Sequence, residues 1–154
     1  MIISHKHRFV FVHNPKVAGS AIRKALEPYH DDDMKFWHQT HLSALERVVD
    51  AAHLTVKDLK TIKPELFYGN YKFFTVVRNP YERFLSSLAE FTRQHPEYKA
   101  SSLDDWMDRY MDEINFRFNW KFIHFCPQHF FVTRSFNGIY LKHQNLGLVW
   151  DDVT

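Results

Sequence analysis

A second cysteine is missing from this chain. Cys126 stands alone, so no internal disulfide can form, and that fits a reducing compartment. Long apolar runs are missing too. None reaches the length of a membrane span. The first residues, Met1 to Arg8, hold two His, a Lys and an Arg in place of the apolar stretch that a signal peptide needs. The expected location is therefore cytoplasmic, for a complete protein or for a catalytic piece of a longer one. A large charge excess is also absent. The formal net charge is only +2, which argues against a partner held by bulk attraction, whether nucleic acid or anionic membrane. Net charge is silent about clustering, so a local basic site for a small anion stays open. There is no repeat, no low-complexity tract and no Gly/Ser linker.

What is present suits one folded unit. The 154 residues are enough for one domain with one core and too few for two ordinary ones, so residues 1–154 are read as a single domain. Hydrophobic residues at 45% and charged residues at 25% give a soluble globular balance. Phe dominates the aromatic residues, which predicts a core or cleft rich in flat side chains.

Two strand–turn–helix units organise the pattern. Phe9-Val10-Phe11-Val12-His13 is a short apolar run ending at Asn14-Pro15, and it reads as a buried strand. Gly19 and Ser20 then open a helical pattern with Ile22, Ala25 and Leu26 on one face. Farther on, Phe73-Phe74-Thr75-Val76-Val77 is a second strand ending at Asn79-Pro80. Tyr81 to Arg93 follows as a helix, with Phe84, Leu85, Leu88 and Phe91 at helical spacing. Two such units imply a parallel sheet with helical crossovers. The fold class expected is α/β, a three-layer domain with a central parallel sheet.

Between and after these units the pattern is less strict. Leu45, Val48 and Val49 predict a helix over 43–52. Thr55 with Asp58 predicts a capping box for a helix reaching Ile62, with Pro64 at or just beyond its end. Ser102 to Ile114 reads as an amphipathic helix. Phe116, Phe118, Trp120 and Phe122 alternate with polar residues and predict a strand or extended segment. A last short strand is placed at Gly138 to Leu141.

Chemistry concentrates at Pro15-Lys16-Val17-Ala18-Gly19-Ser20, between a strand and a helix. Backbone N–H groups at a helix start are unpaired and carry partial positive charge, which suits phosphate or sulfate. Gly19 would let the main chain approach a ligand. Lys16 adds a full charge and Ser20 a hydroxyl donor. A nucleotide-triphosphate loop would place its lysine after the second glycine. Here the lysine precedes the one glycine. Taken alone, the loop is equally readable as an ordinary strand–helix turn with a solvated lysine.

His13 to Ser20 resembles the 5′-phosphosulfate loop of the sulfotransferases, in which a proline–lysine pair is followed by threonine, small residues and a hydroxyl residue. Arg78-Asn79-Pro80-Tyr81-Glu82-Arg83-Phe84-Leu85-Ser86 resembles the family's 3′-phosphate motif. Weaker likenesses are Cys126-Pro127-Gln128 with Phe130-Phe131, and Gln144-Asn145-Leu146 with Asp151. The order and extent of these motifs are similar to the carbohydrate-type, sulfotransferase-2-like members. The resemblance implies a P-loop-NTPase-like fold. It also implies 3′-phosphoadenosine 5′-phosphosulfate (PAPS) as donor, its desulfated form (PAP) as product, and no metal.

Carried over by position, Lys16 and the amides of Val17, Ala18, Gly19, Ser20 and Ala21 would hold the 5′-phosphosulfate. Arg78 and Ser86 would hold the 3′-phosphate. The chemistry agrees, because Arg78 ends a strand, where open α/β sheets bind ligands, and its planar fork suits phosphate. Arg83 reads equally as a phosphate partner or a structural ion pair. Three departures stand out. Val17 replaces the usual threonine, and Gln144 replaces the usual glutamate. The chain also stops soon after Asp151, either as a reduced version or with its C-terminal part missing.

Sulfuryl transfer needs a counter-charge for the leaving phosphate, which one lysine can supply. It also needs a base for the acceptor proton, for which histidine is best matched near neutral pH. The resemblance implies a base histidine between the two phosphate motifs, just before a helix. Counted forward from Lys16 this is His41; counted backward from Arg78 it is His53. His41 is the expected base and His53 the alternative. His13 reads as a packed structural imidazole. His38 and His41 together would make a weak metal pair, with no third ligand at a suitable spacing. The acceptor expected by analogy is a carbohydrate or other hydroxyl compound. Two other classes compete with this reading. One is a non-catalytic relative that binds nucleotide or sulfated glycan, and the other is a P-loop kinase.

Overall fold

The computed structural model describes residues 1–111 and 119–132, and the backbone of 146–152. The chain opens with an antiparallel pair, β1 (Ile2–Ser4) and β2 (Phe9–Phe11). Helix α1 (Gly19–Leu26) follows the loop after β2. A separate hairpin comes next, β3 (Gln39–Leu42) and β4 (Arg47–Asp50), and then α2 (Val56–Ile62). Strand β5 (Lys72–Arg78) leads through a tight turn into α3 (Pro80–Gln94), and α4 (Leu103–Tyr110) follows. The last described strand is β6 (Leu146–Asp152).

The main sheet has the order β1-β2-β5-β6. Its centre is the parallel pair β2 and β5, in the register Phe9↔Lys72 to Phe11↔Phe74. The two outer pairings, β1 with β2 and β5 with β6, are antiparallel. The expected neighbours are therefore neighbours, but the sheet is mixed, and one parallel pair is what the described residues contain. Antiparallel strands need no helical crossover, and that is how strands lacking the strand–helix pattern join this sheet.

Alternation sorts the two central strands between the two faces. Val10, Val12 and Phe73 pack in a cluster with Leu59 and Leu66, on the side of α2. Phe11 and Val76 pack in another with Val17, and Ile22 and Leu26 of α1 join it. A third cluster joins α3 and α4 through Phe91, Trp106 and Phe122. Its Phe91 and Phe122 rings stack at 5.2 Å between centroids. The abundance of Phe is thus core material in all three places.

Local signals explain most helix starts. The hydroxyl of Thr55 accepts from the Asp58 N–H at 3.2 Å and donates to the Asp58 carboxylate at 2.9 Å, so the expected Thr55/Asp58 pair caps α2, with the return bond made by the hydroxyl. Ser102 caps α4 by accepting from the Asp105 N–H at 3.1 Å. Asn79 accepts from the N–H groups of Tyr81 and Glu82, and Pro80 fills the first position of α3.

Two expectations need correction. Residues 43–52 are a 3-10 turn (Ser43–Leu45), strand β4 and a second 3-10 turn (Ala51–His53), not one helix. The Leu45, Val48 and Val49 spacing fits a helix on paper. In the structure adjacent Val48 and Val49 point opposite ways, 43% and 3% exposed, as β-branched strand residues do. Glu46, at φ 52°, closes the hairpin. Trp120–Phe125 is a 3-10 turn rather than a strand. The Asn119 side chain caps it by accepting from the Lys121 N–H, so a local cap decides against the alternating pattern. The rest of the segment from 112 to 118, and the strand expected at Gly138 to Leu141, lie outside the described residues. Among the described residues no helix is long and apolar enough to cross a membrane.

Candidate active site

The loop from Val12 to Gly19 is anchored at both ends. The Val12 N–H donates to the Phe74 carbonyl at 2.9 Å, and the Thr75 hydroxyl donates to the Val12 carbonyl at 2.7 Å. Asn14 is fully buried, and its amide donates to the Val76 carbonyl at 3.0 Å and to the Gln128 side chain at 2.9 Å. Val17, in the position where a threonine is usual, points into the core beside Phe11 and Val76. The missing hydroxyl is thus replaced by an apolar anchor that faces away from the cleft.

Between these anchors the backbone is strained. Lys16 and Ala18 have φ of 62° and 63°, a left-handed conformation that costs a non-glycine residue about 1–2 kcal/mol. Backbone strain collects at ligand-binding loops, where the rest of the fold over-determines it. Gly19 is required for a reason the sequence does not reveal. A Cβ there would lie 1.9 Å from Nε2 of His13. The buried His13 ring, stacked on Phe11, fills the space that the glycine leaves.

The start of α1 differs from those of α2, α3 and α4. Each of those has a side-chain cap and an acidic residue in its first turn; α1 has neither. Its first N–H groups are therefore left to an anion, except that of Ala21, which donates to the Ala18 carbonyl at 3.1 Å. They border a cleft of about 550 Å³ lined by Lys16, Ala18, Gly19 and Ser20 from the first unit, and by Arg78, Ser86 and Glu90 from the second. His13, His53 and His124 complete the lining. Lys16 and Arg78 thus meet at one site, as the two-unit reading requires. Lys16 lies 3.9 Å from Glu90, and the Arg78 Nε donates to Glu82 at 3.3 Å. The Glu90 carboxyl is pulled down to about 2, chiefly by the hydrogen bond from Arg93 and further by Gln94 and Lys16.

Arg83 is structural. Its buried guanidinium donates to the carbonyls of Pro15, His124 and Cys126, which ties the loop before α1 to the Trp120–Phe125 turn. Gln128 closes the same region. Its Oε1 accepts from Asn14 and from the Arg78 N–H, and its Nε2 donates to the Arg78 carbonyl at 2.8 Å. One side chain therefore fixes the exits of both central strands.

The two candidate bases part company here. His41 sits on β3 opposite Val48, on the exposed face of the hairpin and outside the cleft lining. The helix that would have presented it does not form. His53 ends the 3-10 turn after β4, capped by Asp50, and lines the cleft. Its Nδ1–H donates to the His13 carbonyl at 2.9 Å, which leaves Nε2 with the lone pair. Burial pushes His53 down to about 4, so the ring is neutral at pH 7. His124 lies beside it, with ring centroids 5.3 Å apart, and burial together with His53 holds it at about 4 as well. His13 packs against the other side of His53 at 4.4 Å and is pushed lower still, first by burial and then by His53. Sequence reasoning missed Glu90, His124 and the role of Gln128. The last two stand within or beside the Cys126-Pro127-Gln128 motif, where proximity was the available signal.

The sulfotransferase family model matches residues 1–137. The chain belongs to the sulfotransferase family. The sulfotransferase-2-like resemblance carried by the two phosphate motifs is thereby shown, and sulfuryl transfer is the chemistry this family membership supports. No curated protein and no solved structure matches the chain. Both motifs that carry the resemblance, the three cleft histidines and Gln128 lie inside the matched segment. The Gln144-Asn145-Leu146 likeness lies beyond it.

Proposed function

We propose that the chain transfers a sulfuryl group from PAPS to an acceptor hydroxyl, of a carbohydrate by analogy, through in-line displacement on a three-layer P-loop-like domain. The observation that carries this reading is the meeting of Lys16 and Arg78, from separate strand–helix units, beside the uncapped start of α1. The fit to the donor rests on charge and donor geometry. Lys16 and the amides of Val17 to Ser20 hold the 5′-phosphosulfate, while Arg78 and Ser86 hold the 3′-phosphate; the Ala21 N–H, expected to join them, is given to the Ala18 carbonyl.

Each step uses a group that lines the cleft. His53 Nε2 accepts the acceptor's hydroxyl proton as that oxygen attacks sulfur. The sulfur–oxygen bond to the 5′-phosphate breaks, and Lys16 offsets the charge that develops on the leaving phosphate. Because Nδ1–H is committed to the His13 carbonyl, only Nε2 can take the proton. The sulfuryl oxygens carry less charge than those of a phosphoryl group, so the step proceeds without a metal.

A labelled-sulfate transfer screen across glycans, phenols, lipids and peptides tests the activity and identifies the acceptor. Within the active pair, His53→Ala should lower turnover by roughly two to four powers of ten with donor affinity nearly intact, and His41→Ala should change neither. Full turnover in His53→Ala would remove the proposed base. Donor binding without transfer to any acceptor would favour a non-catalytic relative.

A further inference from the structure

Beside the cleft lies a group of side chains that sulfuryl transfer uses only in part. Asp50, His53 and His124 each offer one ligand atom, and these atoms all lie within 4.8 Å of one another. They arrive from three places: the end of β4, the end of the Ala51–His53 turn, and the Trp120–Phe125 turn. Each is fixed by other contacts. Asp50 Oδ1 accepts from the Ala52 N–H at 3.0 Å, which leaves its second oxygen free to turn toward a cation. His53 is tied through Nδ1, so Nε2 is its ligand atom. The His124 carbonyl accepts from Arg83 and from the Ser87 hydroxyl at 3.1 and 2.8 Å, which holds that turn in place.

We propose that Asp50, His53 and His124 bind one borderline transition-metal ion, of the Zn2+ class, and that the bound ion switches the transferase off by capping Nε2 of His53. Two imidazoles and a carboxylate form a donor set that zinc favours, and three protein ligands leave a fourth position for water. Mg2+ and Ca2+ prefer all-oxygen shells and fit poorly. Lys16 and Arg83 act on His53 as nearby positive charges, so they oppose a dication. Asp50 brings the one negative charge in the triad, and its loss should weaken binding most. The inhibition rests on the assignment of His53 as base; the binding does not.

Co2+ serves as a spectroscopic probe of the metal-free full chain. One equivalent should bind with the visible bands of a four- or five-coordinate site, and Zn2+ should displace it. Asp50→Asn keeps an oxygen for the Ala52 N–H and removes the charge. It should weaken Co2+ binding by roughly tenfold or more, the scale on which even outer-shell partners of a metal act. His124→Gln should do the same. In turnover, Zn2+ should inhibit the wild-type chain, while Asp50→Asn keeps basal activity and resists inhibition. Co2+ spectra unchanged in both variants, or no stoichiometric site in the wild type, overturn the proposal. Bound Zn2+ that leaves turnover intact overturns the switch. A metal-free chain without any sulfuryl transfer would instead defeat the enzyme reading, and the spectra would still decide the site.

Discussion

The loops after β2 and β5 both begin with an Asn-Pro pair, and from there they diverge. Asn14 turns inward and hydrogen-bonds to Val76 and Gln128. Asn79 instead turns onto its own helix and caps it. After Pro15 the chain makes a strained detour through Lys16 and Ala18 before α1 begins. Pro80, by contrast, is already the first residue of α3. The first unit therefore leaves its helix start without a side-chain cap, and in the proposed function it binds through main chain plus one lysine. The second has its helix start capped by Asn79, and in the proposed function it binds through the side chains of Arg78 and Ser86. One supersecondary unit used twice thus gives two different loops beside one cleft, and the asparagine orientation goes with the difference.

The largest test of this contrast is Lys16→Ala. It should lower turnover by roughly two to three powers of ten, the loss typical of removing a preorganised charge-stabilising donor. PAP affinity should change much less. Stopped assays with saturating donor check it, and equal losses in turnover and affinity would move Lys16 into a purely binding role like that of Arg78.

Acid should act through the three cleft histidines. His13, His53 and His124 are all held below the ordinary value of 6.5, the last two at about 4. Below 6.5 the unfolded chain takes up protons that the folded chain refuses until about 4. Stability is therefore fully present above that window and is lost as pH falls through it, by up to about 1.4 kcal/mol per pH unit for each histidine. Denaturant midpoints measured across the window should drop with pH. A flat profile would show that these rings are protonated or solvated in the fold.

Gly19→Ala should destabilise by about 1–3 kcal/mol, as overpacking does, because the new methyl meets the His13 ring. His13→Ala in the same chain should relieve part of that cost. Thermal melts of the double-mutant cycle check the coupling, and additive losses would contradict the contact. Gln128→Leu should cost a similar or smaller amount, about 1–3 kcal/mol, by leaving the Arg78 N–H without its partner. It should also weaken PAP binding, since both phosphate sites lose a common support.

The two units were legible because their strands are continuous apolar runs and their loops begin with Asn-Pro. Phe9 to His13 and Phe73 to Val77 read as neighbours for that reason, and Lys16 with Arg78 followed. The hairpin was not legible. Leu45, Val48 and Val49 satisfy a helical spacing, and only the burial of Val49 against exposed Val48 separates strand from helix. That misreading also bears on the base, since the preference for His41 rests on its distance from Lys16 and on its place ahead of a helix that does not form. His124 was hidden differently. It reaches His53 through tertiary packing across the Trp120–Phe125 turn, which no local spacing announces.

The central claim is that the second unit reads the 3′-phosphate through Arg78 while the first reads the 5′ group. Calorimetric titration of PAP, and of the same nucleotide lacking the 3′-phosphate, into the wild type and Arg78→Ala tests it most directly. The wild type should prefer PAP. Arg78→Ala should lose most of that preference, by about 1.5–3 kcal/mol as for a hydrogen bond to a charged group, and should bind the nucleotide without the 3′-phosphate as the wild type does. An Arg78→Ala chain that still distinguishes the two nucleotides as sharply as the wild type would contradict the account.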